Sequence, residues 1–279
     1  MTAKIHFISG LPRSGSTLLG ALLRQNPRFH ASMTSPVGSL VNRMLEAMSE
    51  ENEYSVFITP EQKRALTLTI FSTFYQPQAE KEVIFDTNRL WCSKLSLIQE
   101  LFPGSKVICC VRNVSWIMDS IERLIRKNAF DVLRMFNASE RSTVYTRTEA
   151  LSQGGRLVGF AYNALKEAFY SEYSASLLLV DYDLLTQAPD KTISLIYQFL
   201  QEEPFEHDFA NVEYEAEEFD NRLNTKGLHQ VRRKVEFQPR LTILPPDLFT
   251  QYDGLSFWKN PSNSLANVIV AQPIEAVRK

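Results

Sequence analysis

Four short apolar runs punctuate the chain, each followed by a polar turn and then by apolar residues at helical spacing. They are Ile5 to Ile8, Glu82-Val83-Ile84-Phe85, Lys106 to Val111 and Ser176 to Val180. Runs this short predict strands, and the third, apolar on both faces, has the habit of a parallel sheet. Between them the apolar positions step by three and four. Leu18, Leu19, Leu22 and Leu23 follow the first run, and Leu40, Val41, Met44, Leu45 and Met48 outline an amphipathic helix from Val37. Thr59-Pro60-Glu61-Gln62 supplies an N-cap, a proline at N1 and a capping box for a helix reaching about Tyr75. Lys94 to Phe102 reads as a helix closed by Pro103-Gly104. Trp116, Ile117, Ser120, Ile121, Leu124 and Ile125 share one helical face, a long helix is expected from Arg147 to Tyr173, and Pro189 opens one ending at Leu200. Strand alternating with helix predicts the α/β class, with a central, mostly parallel sheet between two helical layers.

Past Gln201 the pattern changes. An acidic run from Glu213 to Asp220 gives way to a basic stretch holding Arg222, Lys226, Arg232, Arg233, Lys234 and Arg240, and the last forty residues, rich in proline, read as irregular. The expectation is one domain over 1–279 with an irregular region from about 201 to 279, since 279 residues at 44% hydrophobic suffice for a full core. A net charge of −2 gives no global basic field for nucleic acid. Cys92, Cys109 and Cys110 are an odd number of thiols, expected to be reduced, with strand alternation sending Cys109 and Cys110 to opposite faces. The first strand follows the start directly, without the regions of a signal peptide, and no apolar stretch has membrane-spanning length, so a cytoplasmic protein without a membrane span is expected.

The candidate chemistry lies where the strands end. Gly10 and Gly15 bracket the turn after the first strand as in the phosphate loop G-x-x-x-x-G-K-[ST], which aims backbone N–H groups and a helix N-terminus at an anion. Ser16 stands where that loop carries lysine, and Arg13 is the nearby cation. The other strands end at Asp86 to Arg89, at Arg112 and at Tyr182, and an open parallel sheet binds its ligand beyond these ends. A multiply anionic ligand suits such a site. Arg112, directly after an apolar strand, is placed for a fork-like phosphate contact. Ser120, eight residues on, either faces the same anion or is a small residue where helix packs on sheet.

Pro12-Arg13-Ser14-Gly15-Ser16-Thr17-Leu18 and Val111-Arg112-Asn113 with Ser120 resemble the two cofactor signatures of sulfotransferases that use 3′-phosphoadenosine 5′-phosphosulfate (PAPS). The resemblance implies a P-loop-containing, sulfotransferase-like fold. It implies that the amides and hydroxyls of Ser14, Gly15, Ser16 and Thr17 hold the 5′-phosphate and sulfuryl group, and that Arg13 stabilises the bridging oxygen. Arg112 and Ser120 would hold the 3′-phosphate. Leu101-Phe102-Pro103 and Asp181-Tyr182 are more similar to tyrosylprotein and Golgi-type members and related bacterial enzymes than to the cytosolic phenol type, which puts Tyr182 beside the 3′-phosphoadenosine. Lys226, in the late Lys226-Gly227 pair, would close over the 3′-phosphate, and Arg89 would supply a second cation. The implied reaction moves a sulfuryl group to a hydroxyl or phenol of a small molecule or peptide without a metal, leaving 3′-phosphoadenosine 5′-phosphate (PAP); a homodimer is left open.

The chain departs from the family at the base. Met33 to Pro36 holds no carboxylate where tyrosylprotein enzymes have glutamate, and Asp86 to Arg89 holds no histidine where cytosolic enzymes have one. Asp86 is the first candidate base and His30 the second; Asp86 also reads as a turn cap or a partner of Arg89. His229 reads as a ligand-facing or a satisfied surface histidine. Two alternatives stand beside the sulfotransferase: a P-loop nucleotide kinase, against which Ser16 argues, and a noncatalytic nucleotide-binding protein using the basic strip at 222–240.

Overall fold

A computed structural model describes residues 3–128, 135–214, 216–222 and 229–270. Strand β1 (Lys4–Gly10) runs up the middle of the sheet into the Gly-bracketed turn, and α1 (Ser16–Leu23) leaves from it. Then come β2 (Phe29–Ala31), α2 (Val37–Ala47) and α3 (Pro60–Phe74). The capping box of α3 forms as its spacing predicts: the Thr59 side chain accepts from the Gln62 N–H, and the Gln62 side chain accepts from the Thr59 N–H. Next are β3 (Val83–Thr87), α4 (Leu95–Leu101), β4 (Val107–Val111) and α5 (Val114–Lys127). After them come α6 (Val144–Ser152), α7 (Leu157–Phe169), β5 (Leu177–Asp181), α8 (Tyr182–Gln187), α9 (Pro189–Leu200), α10 (Glu217–Arg222), α11 (Pro246–Asp253) and β6 (Asn267–Ile269).

The strands form one sheet in the order β2-β3-β1-β4-β5-β6, every pair parallel. The period of two splits each strand between two apolar layers. Phe7, Ile84, Cys109 and Leu179 face a core closed by α2 to α7 and α11; Ile8, Phe85, Cys110 and Val180 face one closed by α1, α8 and α9. The result is the expected α/β/α sandwich, and Cys109 and Cys110 do point to opposite faces.

Among the described residues, six strands stand where four apolar runs were legible. β2 has three residues, too few to show a period, and its pairing to β3 (Phe29 with Val83, His30 with Ile84) is decided by contact. β6, in the stretch that reads as irregular, exists through its register on β5, and α11 also lies there. The single helix expected from Arg147 to Tyr173 is two. Gln153 and Arg156 are extended around Gly154-Gly155, and the chain folds back so tightly that a Cβ on Gly159 would stand 2.2 Å from the Gln153 carbonyl oxygen.

His6 ties β1 to β4. Its ring is 5% exposed and its Nδ1 accepts from the Lys106 N–H at 3.1 Å. Burial, which penalises the charged ring, pulls its pKa down from 6.5 to about 4. The native state therefore excludes a proton that the unfolded chain takes up below pH 6.5, so stability falls as pH drops from 6.5 towards 4, by about 3 kcal/mol over that interval. Chemical denaturation at pH 7 and pH 4.5 checks this, and a His6→Gln variant is expected to lose that part of the slope.

Candidate active site

The order of strands reverses around β1, and the cavity lies beyond the carboxyl ends of β1, β3, β4 and β5, where such sheets bind ligands. Its volume is 1120 Å³. Sites for one drug-sized ligand run to about 300–1,000 Å³, so there is room for a nucleotide and a second reactant.

The turn after β1 is built by close approach. Gly10, Arg13 and Gly15 have positive φ (103°, 58° and 95°), and a Cβ on Gly10 would stand 2.2 Å from the Cys110 carbonyl oxygen. Gly15 is the N-cap of α1 and, having no side chain, leaves the first N–H groups uncapped; Ser16 and Thr17 line the cavity beside them. Ser14 behaves otherwise. Its side chain is buried and its hydroxyl donates to the Leu11 and Cys110 carbonyls, clamping the turn to β4, so the expected ligand contact through this hydroxyl is not available.

Arg13 joins the two signatures, its Nε donating to the Ser120 hydroxyl at 3.1 Å. Ser120 faces the cavity from α5, which Asn113 caps by accepting from the Ser115 N–H at 3.0 Å. Arg112 lies with its guanidinium 4.4 Å from the centroid of the Tyr182 ring, and that ring packs against Gly15, where an added Cβ would come within 2.7 Å of Cδ2. The loop, Tyr182, Arg112 and Ser120 thus converge on one space. Arg112 Nε is buried without a hydrogen-bond partner, 3.9 Å from an equally unpartnered Asp183 Oδ1. That donor faces Asp183, while the residue itself lines the cavity, where a guanidinium suits an anion. Burial first, and Arg112 second, lower the pKa of Arg13.

Arg89 also lines the cavity. Asn88 accepts from the Leu90 N–H, and the Ser9 hydroxyl donates to the Arg89 carbonyl, which fixes the turn after β3 against β1. Asp86 does not line it. The carboxylate is 0% exposed; Oδ2 accepts from the Ser35 and Tyr75 hydroxyls and Oδ1 from the Trp91 indole, each at 2.7 Å. These contacts brace the start of α2 and the end of α3 on β3, which corrects its reading as the base: an acceptor hydroxyl has no access to it. Burial raises its pKa and the three donors oppose the rise. His30 stacks edge-on to Tyr75, 5.7 Å between centroids, and is not part of the cavity wall either. Lys226 lies outside the described residues.

Two features of the wall come from distant chain. Asp119, buried in α5, pairs with Arg123 at 2.9 Å and Arg240 at 2.6 Å and accepts from the Ile243 N–H at 2.8 Å, which pins the segment at 240–243 and delivers Arg240 to the cavity near Arg112. His229, which the sequence leaves open between ligand-facing and satisfied, is both: it lines the cavity, and its Nδ1 meets Asp220 Oδ1 at 2.6 Å. Charge counting shows these residues as part of a basic strip, but no local period announces either contact. Arg233 turns outward to Glu213 at 3.5 Å, the solvated pairing that the run of opposite charges suggests.

Fold and site together define an α/β protein in which the glycine-bracketed turn after β1 and a cationic element after β4 share one cavity. A model described as "Sulfotransferase family" matches residues 6–207, most of the chain, and the protein belongs to that family. Among solved structures it is similar to the sulfotransferase domain from the Synechococcus PCC 7002 olefin synthase, with 18% identity, 91% of this chain and 88% of that one covered and a TM-score of 0.48. It is also similar to the sulfotransferase domain from the curacin biosynthetic pathway, with 16% identity, 99% and 94% covered and a TM-score of 0.49. A search of curated proteins finds no match.

Proposed function

We propose that this transferase uses PAPS as donor and a hydroxyl or phenol as acceptor. The observation that carries the reading is the Arg13 to Ser120 hydrogen bond, which joins the loop after β1 to the element after β4 and so supports a single site for two anionic groups. In this reading the N–H groups of Gly15, Ser16 and Thr17 and the hydroxyls of Ser16 and Thr17 hold the 5′-phosphosulfate. Arg112, Ser120 and Arg240 hold the 3′-phosphate, and Tyr182 lies beside the nucleoside. The donor supplies an activated sulfuryl group. A bond forms from the acceptor oxygen to sulfur as the bond from sulfur to the bridging phosphate oxygen breaks, and Arg13 stabilises the charge that gathers on that oxygen. The cations of the site are side chains, so Ser16 in place of the loop lysine is no obstacle.

Thermal shift tests the donor. A ligand that binds only the folded state stabilises by about 2.7 kcal/mol at one hundred times its Kd. PAP is expected to raise the melting temperature more than ADP or GDP at equal concentration, with or without Mg²⁺. A shift with ADP and Mg²⁺ and none with PAP overturns the reading in favour of a nucleotide kinase.

A further inference from the structure

We infer that His229 is the general base of the transfer, held in its working tautomer by Asp220; the assignment rests on the sulfuryl-transfer reading. The argument starts from what the cavity offers. Among the described residues that line it, Glu236 and His229 are the groups that accept a proton at neutral pH. Glu236 belongs to the exposed rim, paired with Lys234 at 3.0 Å and receiving the Gln238 side chain at 2.9 Å. Both partners draw its pKa down and make it a weaker base. His229 is half-buried in the wall, its ring edge-on to Phe219 at 5.5 Å.

Geometry assigns its two nitrogens. Asp220 is 4% exposed and takes both the His229 backbone N–H (2.9 Å) and Nδ1 (2.6 Å). A carboxylate that accepts from Nδ1–H leaves the lone pair on Nε2, the arrangement in which imidazole takes a proton from a hydroxyl. His229 lines the same cavity as Arg13, Ser16, Thr17 and Arg89, the residues around which the sulfuryl group would move. The charged groups that act on it are these two arginines, which disfavour the imidazolium together with burial, and Asp220, which favours it; burial dominates and the pKa lies below 6.5. Burial thus favours the neutral ring, the form that accepts a proton. As the acceptor oxygen bonds to sulfur, its proton passes to Nε2 and the electron pair of the breaking bond leaves with the 5′-phosphate of PAP. Asp220 then neutralises the imidazolium.

The test uses the full chain with ¹⁵N-histidine and two probe acceptors, 2-naphthol and benzyl alcohol, chosen because Ile121, Leu124 and Leu157 give one wall of the cavity an apolar face. In the PAP complex His229 is expected as the Nδ1–H tautomer at pH 7.5. His229→Gln is expected to slow PAP release from PAPS by about 100-fold or more, less with the more acidic naphthol than with the alcohol, while Kd for PAP stays within a few-fold. Asp220→Asn, the positioning change, removes the group that raises the ring's pKa, so the acid limb of the pH profile is expected to move to lower pH with a lower plateau. An Nε2–H tautomer overturns the assignment, and so does a His229→Gln enzyme with wild-type rate and pH profile. Failure of the wild-type chain to bind PAP sinks the sulfuryl-transfer reading instead; intact PAP binding with an unmoved pH profile sinks His229 alone.

Discussion

Arg13→Ala is expected to cut the rate of sulfuryl transfer by about 100- to 1,000-fold, with Kd for PAP changed less than tenfold. A donor aimed at the oxygen where charge develops is worth about 2.7–4 kcal/mol of barrier when removed. In the proposed reading Arg13 is that donor, and the turn restrains it. Its backbone is left-handed (φ 58°), its Nε is committed to Ser120, and its cost of placement is met in folding rather than at the moment of reaction. Alanine at the same φ relieves nothing, so the change should report the lost guanidinium and not a relaxed loop. Single-turnover transfer from ³⁵S-labelled PAPS, beside calorimetric titration with PAP, separates the two quantities. Equal losses in rate and in PAP binding contradict the assigned role.

Arg112→Ala is expected to weaken PAP by about 10- to 150-fold and to leave ADP nearly untouched. Hydrogen bonds to a charged group contribute about 1.5–3 kcal/mol, and every 1.4 kcal/mol is tenfold. The selectivity matters more than the size. ADP lacks the 3′-phosphate that Arg112 would hold, so the preference of the wild-type protein for PAP over ADP should largely vanish in the variant. Arg112→Lys is expected to restore little, because a lysine ammonium does not offer the planar fork that the guanidinium over Tyr182 presents. Parallel titrations with PAP and ADP check both statements; an equal loss for the two nucleotides would place Arg112 away from the 3′-phosphate.

Much of this site was legible along the chain because it is local. The turn between Gly10 and Gly15, the arginine that ends an apolar strand and the serine eight residues later are each written within a dozen residues. The errors share a cause. Asp86 has the sequence neighbourhood of a catalytic carboxylate, yet Ser35, Tyr75 and Trp91 close over it from three separate segments. Ser14 sits in the loop motif, but the carbonyl of Cys110, ninety-six residues on, takes its hydroxyl. Arg240 reads as part of a basic stretch, and His229 stays open between ligand-facing and satisfied, until Asp119 and Asp220 are seen to hold them.

What the sequence determined by itself is therefore the alternation of strands and helices, the capped helix start at Thr59 and the glycine-bracketed turn after β1, all products of side-chain period and backbone preference over short spans. What the tertiary structure alone decided is which polar groups reach the cavity and which are spent in the scaffold. That choice depends on contacts no local period announces, many of them between distant segments: a buried polar atom must be satisfied by whatever the fold brings to it.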